Sequence, residues 1–377
     1  MAATQYHLGM FPPRNLDWAR LVPEIGRAHS AVAAYGAMLE SMPNTGVLIS
    51  PLATQEAVYS NCIEGTETTL TEVLTFEADE DQPVDDPAKR HDVYEVVNYR
   101  IALAAANRQI EHIPLSLRLI RNAHRILMRG VRGRDKAPGE YRRIPNSVWI
   151  GPPGSTIESA DFVPCPVEHL AGAMDAWEGF IHSDEPDPLV QLAIVHAEFE
   201  SIHPFLDGNG RIGRLIVPLY MVAKGLLEAP HFYISGFLDQ HRDEYYERLR
   251  AVSRDDDWTG WSGFFLKAVE EQANTNLARA RSILALYDEL KEWVVDETHS
   301  QYAVRALDWI FGKPIFRSSD FVRNSGIPAP TASRILRVLR DGDMLTVLRE
   351  ARGRRPAMLA FSRLLRVAEG GAAVASH

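Results

Sequence analysis

Two helical patterns joined by a short glycine-bearing turn, residues 187–225, constrain this chain more than any other stretch of it. Asp187 can cap the first helix and Pro188 suits its first position, while Leu189, Leu192, Val195, Phe199 and Ile202 recur at helical spacing. Pro204 makes continuation unfavourable. The second pattern runs through Ile212, Leu215, Ile216, Leu219 and Val222 to Gly225, and Pro218 inside it predicts a kink. Strand-like signal is sparse, so the spacing predicts a mainly α fold. The best strand candidate is Arg142 to Gly151, where Val148, Trp149 and Ile150 sit between turn-forming residues.

A length of 377 residues suggests two or three domains. With 46% hydrophobic and 24% charged residues, disorder and fibrous repeats are excluded. Cys62 and Cys165 are too few for a disulfide framework or a cysteine zinc site. No apolar run approaches the roughly 18 residues of a membrane span, and the first residues show no secretory pattern, so no membrane partner and a cytoplasmic address are expected. Charge is uneven. Residues 313–366 hold 12 Lys and Arg against 4 Asp and Glu, a basic end on a chain whose net charge is −10. Such an end suggests a polyanionic partner of its own.

The rhythm of the last seventy residues differs from the rest. The pattern predicts a short helix over Ser319–Ser325, a turn at Gly326-Ile327-Pro328 and a second helix from Pro330 to Arg340. Leu345–Leu348 and Ala357–Phe361 can then pair as strands, completing the order of a winged helix-turn-helix. Arg334, Arg337 and Arg340 fall on its second helix, with Arg352, Arg354 and Arg355 at the hairpin tip, where DNA could be contacted. Partner docking or dimerisation is the other use of such a module. Glu77 to Arg90 reads as a linker or exposed loop. The expected divisions are 1–110, an N-terminal helical region; 111–290, a core bearing the glycine turn; and 291–377, the winged end.

Chemistry is densest in His203-Pro204-Phe205-Leu206-Asp207-Gly208-Asn209-Gly210-Arg211-Ile212-Gly213-Arg214. Gly208 and Gly210 let the backbone turn tightly and bring N–H groups near a bound anion. The next helix starts there, so its free N–H groups and positive end add attraction. Arg211 and Arg214, three apart in the first turn, can fork onto phosphate oxygens. Asp207 offers a hard oxygen ligand suited to Mg²⁺ between phosphates, and His203 is placed as a proton acceptor. A bland alternative is a capped interhelical turn with Asn209 as cap and solvated arginines. A second rival is a metal site on one helix face, His196, Glu200 and His203 at i, i+4 and i+7.

This segment resembles the active-site motif of the Fic family, H-P-F-x-[DE]-G-N-G-R-x-x-R, with every defining position filled. The resemblance runs from about Phe11 to about Arg366 and includes Pro138-Gly139-Glu140-Tyr141-Arg142, Tyr245-Tyr246-x-x-Leu249 and Trp258-Thr259-Gly260-Trp261. It implies the Fic helical fold with a β-hairpin flap, and transfer of AMP from ATP, with Mg²⁺ or Mn²⁺, to a Tyr, Thr or Ser hydroxyl of a target protein. On this resemblance His203 is the base, Asp207 holds the metal, and Gly208, Asn209 and Gly210 cradle the phosphates with Asn209 on the α-phosphate. Arg211 and Arg214 clamp the β- and γ-phosphates, and Phe205 anchors the loop by packing. Tyr245 and Tyr246 belong to the adenine-pocket region, although adjacent helical residues cannot both face a base, so core packing fits one of them better. Val148, Trp149 and Ile150 match the flap, whose edge can add a target segment as an extra strand.

Glu64 lies in Ser60-Asn61-Cys62-Ile63-Glu64-Gly65, near the end of a predicted helix that Gly65 terminates in left-handed geometry. A carboxylate there faces the unfavourable end of the dipole, and Ser60 shares its face. Read alone, it fits a solvated glutamate. The segment resembles the Fic inhibitory motif [ST]-x-x-x-E-[GN], which implies that Glu64 pairs with Arg214 and keeps the ATP γ-phosphate away. The resemblance also implies a homodimer as partner, self-modification in some relatives, and removal of AMP by the same glutamate in others. Transfer of UMP or phosphocholine, and a DNA-binding regulator whose Fic core only senses nucleotide, remain as alternatives.

Overall fold

The computed structural model describes residues 3–79, 87–131, 136–144, 150–151, 156, 159–353 and 355–370. Strand β1 (Thr4–Gln5) is followed by α1 (Trp18–Ser41), the single turn α2 (Thr45–Leu48), α3 (Ser50–Ile63), α4 (Leu70–Ala78), α5 (Pro87–Ile110) and α6 (Leu117–Leu127). After β2 (Phe162–Val163) come α7 (Val167–Ile181), α8 (Pro188–Ile202), α9 (Asn209–Ala223), α10 (Ser235–Gln240), α11 (Arg242–Asp255) and the long α12 (Trp258–Thr298). The remainder is α13 (Ala303–Gly312), β3 (Ile315–Arg317), α14 (Ser318–Asn324), α15 (Ala329–Asp341), β4 (Thr346–Arg349), β5 (Met358–Ala360) and α16 (Ser362–Glu369). The fold is mainly α, as the periodicity predicts. No helix among the described residues is long and apolar enough to cross a membrane.

These elements form two compact units. The first gathers Met1–Gly36, Tyr59–Thr66 and Val97–Asn274; the second gathers Ala37–Val58, Glu67–Val96 and Thr275–His377. At the centre of the first unit α8 is buried on every side from Leu189 to Ile202, its polar Gln191, His196, Glu198, Glu200 and Ser201 included. Its start follows the sequence. The Asp187 carboxylate accepts from the Leu189 and Val190 amides at 2.9 Å each, and Pro188 occupies the first turn. Helices α7, α9 and α11 pack on it. The buried indoles of Trp177 and Trp261 donate to the α8 carbonyls of Val195 and Ala193 at 2.8 and 2.7 Å. Helix α9 runs unbroken through Pro218.

Strand β1 lies parallel to β2, Thr4 opposite Phe162. Beside it Tyr6 and His7 are tied to Glu198 of α8 by hydrogen bonds of 2.6 and 2.7 Å, and His7 also meets Ser253 at 2.7 Å. Ile150 bridges Phe162 in antiparallel fashion, so the one described residue of the expected flap triplet stands at a sheet edge. Val148 and Trp149 lie outside the described residues.

In the second unit β3, β5 and β4 form an antiparallel sheet in that spatial order, with Ile315 and Thr346 both opposite Ala360. Helix α14, a turn with Gly326 at φ 69°, helix α15 and the β4–β5 hairpin follow in the order expected for a winged helix-turn-helix. The stretch Glu77 to Arg90 differs in part from a linker. Glu77 and Ala78 finish α4, Pro87–Arg90 open α5, and residues 80–86 lie outside the described residues. Asp79 is buried because three arginines converge on it: Arg317, Arg349 and Arg355 at 3.4, 2.6 and 3.3 Å. Charge that reads as solvated in sequence is here neutralised inside the unit.

Candidate active site

Helix α3 ends at Ile63 in a double backbone closure. The Gly65 amide donates to the Cys62 carbonyl at 2.9 Å and the Thr66 amide to the Asn61 carbonyl at 3.2 Å, with Gly65 at φ 91°. This is the left-handed termination Gly65 predicts, a Schellman motif, and it fixes Glu64 at the helix end. From there the Glu64 Oε1 accepts from the Arg214 Nη2 at 2.5 Å. Arg214, 1% exposed, also donates through Nε to the Ser60 hydroxyl at 3.0 Å and through Nη2 to the Ser60 carbonyl at 2.8 Å. Ser60 is thus a direct partner of the arginine as well as a neighbour of Glu64. Burial alone would raise the Glu64 carboxyl, but the charge and hydrogen bond of Arg214 outweigh it and hold the pKa below the usual value.

Gly210 makes the contact sterically possible. A Cβ on it would stand 2.3 Å from the Glu64 Oε1, so only glycine admits an oxygen so close to the α9 backbone. Gly208 caps α9 at φ 77°, where a Cβ would meet the Met128 sulfur at 2.9 Å. Asn209 is buried, and its amide closes the loop on itself, accepting from the Phe205 N–H at 2.8 Å and donating to the Phe205 carbonyl at 2.9 Å.

His203 leaves α8 in the left-handed region at φ 51°, so it does not continue the α8 face. Its Nδ1 lies 3.2 Å from the Glu200 carbonyl. A carbonyl only accepts, so Nδ1 carries the proton and Nε2 keeps its lone pair. Burial foremost pushes the imidazole down to about 4, which keeps it neutral at pH 7. The rival metal face of His196, Glu200 and His203 is broken for the same reason. His196 is spent on the Gly213 carbonyl at 3.1 Å and the Tyr245 hydroxyl at 2.9 Å, and no group of three metal-ligating side chains exists among the described residues.

A cavity of about 430 Å³ opens between these parts, and its wall includes Glu64, Glu200, His203, Gly210, Arg214 and Tyr246. Ile150, Phe162 and Tyr245 also border it. Tyr245 is buried with its hydroxyl committed to His196, while Tyr246 is half-buried. Tyr245 thus takes the core packing expected for one of the two tyrosines, although both border the cavity. The arginines part company. Arg211 turns to Asp207 at 3.4 Å and to the Met128 sulfur at 3.8 Å, and it is not among the described residues of the cavity wall. Asp207, about one-third exposed, also pairs with Lys136 at 3.5 Å.

Two residues that sequence reasoning did not assign a role hold the loop. His124 stacks on Phe205 at 3.8 Å with planes 4° apart, accepts from the Gly139 amide at 2.7 Å, and meets the Asp207 carbonyl at 2.9 Å. Burial pushes it down to about 4, so neutral His124 donates through Nε2. Arg142, 4% exposed, gathers two carbonyls at the end of α8 and one just before α7: Nε donates to His203 at 2.8 Å, and Nη2 donates to Ile202 at 3.1 Å and to Cys165. A histidine on the apolar face of α6 and an arginine after Pro138-Gly139 are the only signals they leave in the sequence.

A buried helix hands a left-handed histidine to a glycine turn on which the next helix starts, and this turn is the segment that resembles the Fic motif. The chain belongs to the Fic/DOC family: the Fic/DOC family model matches residues 114–221 and the Fic/DOC family N-terminal model residues 22–108. It is similar to the protein adenylyltransferase Fic of Drosophila ananassae, D. yakuba and D. melanogaster, 31% identical over 121 residues in each case. That stretch is 31% of this chain and only 21% of each relative, so the match spans about a fifth of their length. Among solved structures, a Fic family protein from Desulfovibrio desulfuricans G20 shares the fold with TM-score 0.59 at 19% identity, covering 93% of this chain and 98% of that one. Fic-1 from C. elegans gives 0.54 at 18% identity, over 71% of this chain and 74% of that one.

Proposed function

We propose that the cavity binds ATP and that the protein transfers AMP to a hydroxyl of a protein substrate, with Glu64 as a built-in brake. The observation that carries this is the pairing of a neutral His203 with a free Nε2 and a buried Arg214 on one cavity wall, in a chain similar to proteins named as adenylyltransferases. The substrate hydroxyl oxygen attacks the α-phosphorus, the bond to the β-phosphate oxygen breaks, pyrophosphate leaves, and the proton passes to the His203 Nε2. The α9 N-terminus and Arg214 favour the triphosphate. Asn209 serves through its backbone position, since its side-chain amide is engaged by Phe205. Glu64 occupies the Arg214 donor that a γ-phosphate needs, and a charged carboxylate there repels that phosphate.

The donor set suits a divalent cation shared with phosphates rather than a protein cage. Asp207 is a single, partly exposed carboxylate whose contacts among the described residues are long ones to Arg211 and Lys136, and Mg²⁺ commonly takes one carboxylate plus phosphate and water. Asp207 would hold the ion, which when bound neutralises charge developing on the leaving phosphates. Intact-mass measurement after incubation with ATP and Mg²⁺, on wild type and Glu64→Gly, tests the activity on the chain itself and on added protein. The acid limb of the rate should lie well below 6.5, towards pH 4, because His203 protonates only there. An acid limb at 6.5 would remove His203 as the base.

A second reading attaches to the other unit. Of the arginines expected at a nucleic acid, Arg334 donates to the Thr298 carbonyl at 2.7 Å and Arg355 is drawn to Asp79, while Arg354 lies outside the described residues. Arg337 and Arg340 are exposed and border, with Arg323 and Ser333, a groove of about 410 Å³ on α14 and α15. A polyanion such as duplex DNA fits this groove better than the hairpin tip. Duplex binding should weaken steeply with salt, and Arg337→Ala should reduce the log–log salt slope by roughly one. Binding that ignores salt rejects the reading.

A further inference from the structure

Glu200, in the last turn of α8, is a carboxyl without a purpose in the chemistry above. It is 9% exposed and lines the cavity. Its Oε1 is packed against Gly213, where a Cβ would stand only 2.1 Å away, and it has no hydrogen-bond partner among the described residues. Gly213 thus makes room for a carboxyl oxygen that no hydrogen bond satisfies among the described residues. An unsatisfied buried polar atom in a site calls for a ligand atom to complete it.

The place of Glu200 along the cavity says which part of a ligand that is. Glu200 shares the cavity wall with Gly210 and Arg214 of α9 and with Tyr245 and Tyr246 of α11. The groups facing it are Arg214 from α9, Glu64 from the end of α3, and the two tyrosines from α11. If phosphates lie at Gly210 and Arg214 and a base lies by the half-buried Tyr246, the unit between them is the pentose. We propose that Glu200 reads that pentose, hydrogen-bonding a ribose hydroxyl and so selecting ribonucleotides over deoxyribonucleotides.

Protonation supports the assignment. Burial foremost raises the Glu200 carboxyl to about 8, so near pH 7 it is mostly neutral and both donates and accepts, the complement of a hydroxyl. A neutral acid also does not repel the adjacent phosphates.

The proposal rests on the nucleotide reading, and the test separates the two. Dissociation constants for ATP, 2′-deoxy-ATP and 3′-deoxy-ATP are measured with Mg²⁺ on Glu64→Gly, and on that variant carrying Glu200→Leu or Glu200→Gln. At least one deoxy analogue should bind Glu64→Gly roughly 3- to 10-fold more weakly than ATP, the worth of one neutral hydrogen bond. Glu200→Leu should bring that ratio to about one, and Glu200→Gln, which keeps a donor and an acceptor, should preserve it. A ratio between two ligands on one protein does not depend on the folded fraction. An unchanged ratio in Glu200→Leu, or none in Glu64→Gly, overturns the role of Glu200 and leaves nucleotide binding standing. No uptake of any nucleotide by Glu64→Gly overturns the nucleotide reading itself.

Discussion

Glu64→Gly should raise nucleotide affinity and AMP transfer roughly 10- to 150-fold, the range of a charge-assisted hydrogen bond of about 1.5–3 kcal/mol. Glu64 takes one Arg214 donor at 2.5 Å, and no other side chain supplies that guanidinium with a carboxylate at hydrogen-bond distance among the described residues. A phosphate arriving at wild type must displace the carboxylate first. In the variant it meets a free donor and a Gly210 surface with no oxygen against it.

The same substitution carries a cost that a simple surface change would not. Arg214 is buried, and without Glu64 its positive charge keeps only neutral Ser60 ligands, a condition that destabilises a fold. The apo variant should therefore melt below wild type and recover more stability when ATP and Mg²⁺ are added, since a ligand that binds only the folded state adds stability. Thermal unfolding of both proteins, with and without nucleotide, reads this directly. Equal transfer rates and equal nucleotide-induced shifts would remove the brake.

Much of this site was legible because its signals are local. Asp187, Pro188 and Pro204 bracket α8, and Gly65 ends α3 in the left-handed turn its position predicts. Glu64 is expected beside Arg214 although 150 residues separate them, because the resemblance to the Fic inhibitory motif links them; spacing alone fits a solvated glutamate, and nothing but the structure brings Ser60 to that arginine. The parts that stayed hidden depend on packing between distant segments. Arg142 reaches carbonyls about 60 residues away and His124 closes a loop 83 residues on, and neither bond has a periodicity to betray it. Arg211 and Arg214 look equivalent on a helical wheel. Their neighbours separate them, Met128 and Asp207 for one and the end of α3 for the other.

His203→Ala, made in the Glu64→Gly background so that the proposed brake does not mask it, should lower AMP transfer by about 10²–10⁴-fold, the contribution of a positioned general base. The parts proposed to bind nucleotide stay in place: the Arg214 bonds go to Ser60 and Glu64 and the imidazole bond to the Glu200 carbonyl. Nucleotide affinity should accordingly hold within about threefold while turnover collapses, the mark of an interaction made in the transition state rather than on binding. His203 sits at φ 51°, which an alanine tolerates less well than histidine does, so thermal unfolding of the double variant must accompany the rates. His203→Asn, which adopts that backbone region readily and cannot take the proton, should lose turnover to the same extent with the loop intact. Transfer retained in the asparagine variant would place the proton elsewhere, and loss of nucleotide binding along with turnover would make His203 a part of the cradle instead of the base.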